Sequence, residues 1–199
     1  MPNKSLSRSG LLTYQKYSSL LAGNDPYIPV LPAYDLLETE ILTGTQASVT
    51  FSSLNSTYGA DYQHLQIRVA SKTNRADSED IARVAINNTY NRSHYLQGTG
   101  VSVQSGSETS PYYRSWFTSG ATGTDVFGGA VIDILDPFET TKNTTIRTLS
   151  GFENSTADKI AIGSTAYYST SATDSIKFEA IGSWVSGCRF SLYGLKASA

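Results

Sequence analysis

The sequence predicts an all-β chain. The expected fold is an antiparallel two-sheet sandwich of jelly-roll type, preceded by an N-terminal arm carrying one short helix. Three observations predict it. After residue 34, apolar and polar residues alternate with a period of two almost without interruption, as half-buried antiparallel strands require. Turn-forming residues break this pattern at a spacing of roughly ten residues, which suits many short strands. Pro26, Pro29 and Pro32 separate the first 33 residues from the rest of the chain, because proline fixes φ and removes a backbone donor.

The arm comes first. In SGLLTYQKYSSLLAG, residues 9–23, Leu11, Tyr14, Tyr17 and Leu21 recur at three- and four-residue steps, with Leu12 and Leu20 beside them. This is the apolar face of a short helix, with Ser9 suited to the N-cap and Gly23 to the C-terminal stop. A helix of about 12 residues is marginal alone in water and needs a surface to lie on, either its own domain or another chain. Residues 25–33 then form an extended, semi-rigid proline spacer. The expected division is an anchoring arm at 1–33 and a sandwich domain at 34–199.

The strands come next, in order. Leu37, Thr39 and Ile41 alternate with Glu38 and Glu40, and Val49 and Phe51 with Ser48 and Thr50. Leu65, Ile67 and Val69 alternate with Gln66 and Arg68, the cleanest strand of the chain. Further strands are expected over 81–86, 100–104, 112–118, 130–135, 145–150, 159–163, 175–180 and 188–195, each with its more apolar face inward. Asp77–Asp80 reads as an acidic turn before the 81–86 strand. A count of about ten strands without a Cys…Trp…Cys pattern favours a jelly roll over an immunoglobulin-like sandwich.

Composition excludes several functions. Net charge is −2 and only 16% of residues are charged, so binding nucleic acid by bulk positive charge is excluded. Ser and Thr make up about a quarter of the chain. One cysteine excludes an internal disulfide and a cysteine zinc cage. No apolar run is long enough for a helical membrane span. The first fifteen residues lack the apolar core of a signal peptide, as suits a chain assembled in the cytoplasm where it is made.

The candidate chemistry is sparse. No Gly-x-Ser-x-Gly elbow is present. His64 heads a strand, His94 lies in an Asn-rich stretch, and both read as strand-edge or loop side chains satisfied by a backbone carbonyl rather than as general bases. Cys188 begins an apolar strand and reads as a buried, inert thiol. Asp133 and Asp136 read as solvated acids near a turn, and Asp77, Glu79 and Asp80 lack the glycine-containing loop of a calcium site. No catalytic residue, cofactor or metal is expected. Tyr is abundant, at 13 residues against 7 Phe. Tyr112, Tyr113 and Trp116 are the candidates for contact with a glycan or another subunit, since such rings combine an apolar body with a polar tip. In the pair Tyr167-Tyr168, one ring should point in and its neighbour out.

Three stretches carry a family resemblance. YDLLETEILTGTQASVTFSSL, YQHLQIRVASKTNRA and RFSLYGLKAS resemble a type of bacteriophage virion protein in which LLET, hLQhR and LYG(I/L)K strands recur. VFGGAVIDILDPFETTKNTTIRTLSG is similar as well, and the resemblance spans roughly residues 34–196. It implies a non-enzymatic virion component with a β-sandwich fold: a capsid decoration, cement or head-fibre protein first, a tail-fibre or tail-attachment protein as the alternative. It also implies a homotrimer among other virion proteins. The arm, through Leu11, Leu12, Tyr14, Tyr17, Leu20 and Leu21, is then expected to dock on the particle. A carbohydrate-binding module is the rival from another functional class.

Overall fold

Among the described residues, the alternating sequence folds into twelve strands and one five-residue helix. The computed structural model describes residues 34–108, 115–122, 125–154 and 157–196. The whole arm, and Tyr112 and Tyr113, lie outside the described residues. The strands are β1 (Asp35–Ile41), β2 (Gln46–Phe51), β3 (His64–Ser71), β4 (Glu79–Ile86), β5 (Ser93–Gly98) and β6 (Val103–Glu108). They continue with β7 (Trp116–Ser119), β8 (Gly128–Leu135), β9 (Thr144–Glu153), β10 (Asp158–Tyr167), β11 (Ile176–Trp184) and β12 (Arg189–Leu195). Helix α1 (Leu54–Tyr58) lies between β2 and β3.

Two antiparallel sheets result. The long sheet has the order β1-β12-β3-β8-β9-β10-β5-β6 and the short sheet β2-β11-β4-β7. The chain crosses between sheets at each step from β1 to β5, at both steps from β6 through β7 to β8, and at both steps from β10 through β11 to β12. With the β5–β6 and β9–β10 hairpins set aside, eight strands remain. This is the wrapped connectivity of an eight-stranded jelly roll. Two hairpins are added to it. β9–β10 continues the long sheet beyond β8, and β5–β6 pairs onto β10. The long sheet is therefore the four strands β1, β12, β3 and β8 plus a four-stranded extension.

The core fills the space between the sheets. Leu65, Ile67, Ile132, Ile134 and Phe190 meet Ile86, Ile176, Phe178, Trp116 and Trp184, and all are essentially inaccessible to solvent. Aromatic rings form its centre. Trp116 stacks on Trp184 at 6.0 Å with an interplanar angle of 3°, and Phe178 meets Phe190 at 5.4 Å. Leu54 anchors α1 in this core.

The extension curls round the edge of the short sheet at β7. Phe117, Phe152 and Ala161 form a second small cluster there. The exposed edge of β7 needs hydrogen-bond partners, since a buried backbone group left unpaired is costly. Strand β9 supplies them from its inner face: Thr148 donates its hydroxyl to Ser115 O (2.6 Å), and Ser150 Oγ accepts from Phe117 N (3.3 Å). Gly163 on β10 passes close by. A Cβ there would lie 2.5 Å from Thr148 Oγ1, so this approach requires glycine.

Several strand expectations need correction. Strand β5 stands where a loop is expected; its inward residues Ser93 and Gln97 are polar, which hides the period. Strand β6 begins at Val103, and the described strand near residue 116 spans Trp116–Ser119 alone. In β1 a register shift between Leu36 and Glu38 undoes the expected alternation, and Ile41 is exposed while Leu37 is part-buried. In β10 the pattern is inverted: Ala161 and Gly163 face in, and Ile160 and Ile162 face out.

One end of the long sheet is tied by two carboxylates. Lys196 Nζ lies 2.9 Å from Asp35 Oδ2, and Tyr62 donates to the same oxygen at 3.0 Å. Lys142 Nζ lies 2.6 Å from Asp136 Oδ2, and Gln63 donates to Oδ1. Lys196 foremost holds Asp35 below its usual value of 3.8, and Lys142 does the same for Asp136. A carboxylate with a depressed folded value binds fewer protons in the native state than in the unfolded one. The stability it adds is therefore present above pH 3.8 and lost as pH falls through the lower folded value. Urea midpoints measured from pH 7 to pH 2 should fall below about pH 4. The double variant Asp35→Asn/Asp136→Asn should flatten that fall.

Candidate interaction face

The outer face of the long sheet carries the strongest candidate site, and register builds it. One cross-strand row runs Thr39–Ser191–Arg68–Val131–Leu149–Ile162–Leu96–Ser105 through all eight strands. The next outward row, two residues along, runs Ile41–Arg189–Ala70–Gly129–Gly151–Ile160–Gly98–Val103. Across β8, β9, β10, β5 and β6 these two rows are apolar or glycine, save Ser105 at the β6 end. Val131, Leu149, Ile160, Ile162, Leu96 and Val103 are 36, 50, 61, 58, 51 and 75% exposed. At the usual area of a buried aliphatic side chain this amounts to roughly 200–400 Å² of apolar surface. The largest contiguous apolar patch on an ordinary monomer is of this order and is often functional.

The face has relief as well as area. The glycines leave a shallow hollow of about 480 Å³ bounded by Arg68, Gly129, Val131, Leu149, Gly151 and Ile160. A Cβ at Gly129 would meet nothing within 4 Å, so packing inside the domain does not demand glycine there. Ile160 and Ile162 stand beside the hollow as knobs, and Leu96 and Val103 line a smaller one of about 220 Å³ with them.

The ends of the band differ in charge. Beyond the first row lie Asp133 and Arg147, directly paired across β8 and β9 with Nη2 to Oδ2 at 3.3 Å. Arg68 stands close by, its guanidinium 4.7 Å from the Tyr193 ring centroid and 5.4 Å from that of Tyr34. Beyond the second row, Glu153 and Asp158 lie directly opposite each other, both exposed. Like charges in that position repel and favour a cation brought from outside.

The residues singled out from sequence fall elsewhere. The arm residues Leu11, Leu12, Tyr14, Tyr17, Leu20 and Leu21 lie outside the described residues, as do Tyr112 and Tyr113. Trp116 is 1% exposed, so it cannot lie against a glycan in the folded domain. Its strand places it in the intersheet core, where indole area is buried rather than displayed. Tyr167 is buried and Tyr168 exposed, as alternation requires.

The polar candidates have structural partners. His64 Nδ1 accepts from the backbone N–H of Asp136 at 3.0 Å, in place of the expected contact with a carbonyl. His94 is exposed on the outer face of β5, directly opposite Ser164. Cys188 is fully buried, accepts from Lys72 N and donates to Lys72 O, and burial pushes its thiol up. Asp80 is buried and accepts from Thr73, Arg75, Ile81 N and Gly182 N. Among the described residues no group of three His, Cys, Asp or Glu side chains is arranged to hold a metal ion, and no helix is long and apolar enough to cross a membrane.

Sequence reasoning missed the apolar band because outward isoleucine and leucine produce the same alternation as inward ones. The available signal was the glycine and small polar residues between them, in KIAIG and TLSGF, which are too small to fill a core alone. Comparison of the chain with protein-family models, curated proteins and solved structures finds no match.

Proposed function

We propose that this chain is a structural protein of a bacteriophage virion. In this reading it docks on the particle through its N-terminal arm and displays the sandwich on the surface, on the capsid as a decoration, cement or head-fibre protein. The strand motifs over residues 34–196 support the virion assignment. The observation that carries an assembly role is the exposed apolar band on the extension of the long sheet, an area suited to protein contact and poor in the polar groups that catalysis uses. Other virion proteins are the partners, and the copy number expected from the resemblance is three. Attachment to the tail is the alternative location.

The test is incorporation. Tagged chain supplied during particle assembly should co-purify with particles, and mass spectrometry with imaging should find it at repeated positions. Deletion of residues 1–25 is expected to leave a soluble β domain that no longer joins the particle. Changing both Leu12 and Leu21 to Asp should do nearly the same, because each charge is costly in a desolvated contact. Incorporation of the deletion variant at wild-type level would remove the anchoring role of the arm. Absence of the full chain from particles would overturn the virion reading.

A further inference from the structure

We propose that the apolar band on the outer face of the long sheet is the site at which a second copy of this chain packs, face to face, about a twofold axis. The inference deepens the assembly reading above and rests on it for the role of this face. Two observations select a second copy as the occupant. The first is charge. One long side of the band carries Arg68 in its row and Arg147 beyond it, with Asp133 between them neutralising part. Beyond the other side lie Glu153 and Asp158, and the one cation of that row, Arg189, stands on β12, outside the apolar stretch. A twofold axis lying between the sheets and parallel to the rows reverses the strand direction. It sets the first row of one copy over the second row of the other. It also sets Arg147 of each copy over Glu153 of its mate and beside Asp158, bringing a cation to that pair of like charges. A face that is basic at one side and acidic at the other is self-complementary under this operation alone.

The second observation is area and relief. The six exposed aliphatic side chains supply roughly half the apolar surface that one side of a standard interface of about 800 Å² contains. This is the size of a reversible dimer rather than an obligate one. The same operation lays Val131 and Leu149 of each copy over Gly129 and Gly151 of its mate, in the glycine-lined hollow, and sets Ile162 against Ile160, so the surfaces interdigitate at the spacing of packed sheets. The contact is isologous and closes at two copies. The trimer expected from the family resemblance would need a different surface.

Sedimentation equilibrium of the full chain over a concentration series tests this. A monomer–dimer equilibrium with a dissociation constant of order micromolar to tens of micromolar is expected. Ile160→Asp should weaken it by roughly thirtyfold or more. Gly129→Leu, which fills the hollow without an internal clash, should also weaken it, with the thermal melt close to wild type. Arg147→Glu should weaken it, and so should the reversal Glu153→Arg/Asp158→Arg. All three changes together should restore most of the lost affinity. A wild-type chain that stays monomeric above about 100 μM overturns the proposal, as do a trimer, a dimer indifferent to Ile160→Asp and Gly129→Leu, and a triple variant as weak as its parents. If incorporation into particles is normal in any of those cases, the second copy is wrong and the virion reading stands. If the dimer forms and particles lack the chain, the reverse holds.

Discussion

Replacing Asp80 with alanine is expected to cost about 3–5 kcal/mol of folding stability, the cost of removing one member of a buried, hydrogen-bonded charge network. The carboxylate is fully buried. It accepts from Thr73 Oγ1 at 2.8 Å, Gly182 N at 2.8 Å, Ile81 N at 2.7 Å and Arg75 Nη1 at 3.4 Å. These donors belong to the segment after β3, the start of β4 and the β11 irregularity, so one side chain joins three pieces of the fold. Alanine leaves all four donors without this acceptor, and a buried donor left unsatisfied costs about 1–3 kcal/mol. Asparagine keeps the size but presents an amide N–H₂ to one pair of donors, so it should recover only part of the loss. Urea unfolding of wild type, Asp80→Asn and Asp80→Ala should give midpoints in that descending order. An alanine variant within about 1 kcal/mol of wild type would show the network to be dispensable.

Asp80 also marks how far the sequence can be read. That a strand follows the acids was legible, because Ile81, Val84 and Ile86 fit β spacing as well as helical spacing. But β4 begins at Glu79, so Asp80, read as part of the turn, belongs to the strand itself and pairs with Thr118. Its burial was not legible, because the donors come from Thr73 and Gly182, which strand pairing brings to the same carboxylate. The same division runs through the fold. Strands β3 and β12 were legible because Leu65, Ile67 and Val69, and Phe190 and Leu192, all face the core. Strand β5 was not, because its inward positions hold Ser93 and Gln97. Strand β10 was legible as a strand over 159–163 but with its faces reversed, because Ala161 and Gly163 point inward. On β9, Thr148 and Ser150 face inward because the edge of β7 needs hydrogen bonds. Once inward positions serve that edge, the apolar residues of the hairpins lie on the outer face. The candidate site is thus a consequence of tertiary pairing, and hydrophobic period reads it with the wrong sign.

Trp116→Ala is expected to destabilise the domain by about 3–5 kcal/mol, enough to unfold much of the population of a marginally stable protein at about 37 °C. The indole is 1% exposed and lies at 6.0 Å over Trp184, with Phe178 edge-on at 5.8 Å. Removing it opens a cavity between the sheets where the neighbouring rings lose contacts. Those rings are themselves fixed: Trp184 Nε1 donates to Phe178 O at 3.3 Å and its ring meets Phe190 edge-on at 5.4 Å. They therefore cannot collapse fully into the space, which places the variant toward the upper part of the range. Trp116→Phe keeps most of the apolar volume and should cost clearly less. The comparison separates a core role from a ligand-binding one. A glycan-contacting tryptophan would lose binding in both variants with little change in the melt. A core tryptophan loses stability in proportion to the volume removed, and any loss of function tracks unfolding. Near-ultraviolet circular dichroism and denaturant titration of both variants would decide it, and an alanine variant with a wild-type melting temperature would contradict this packing.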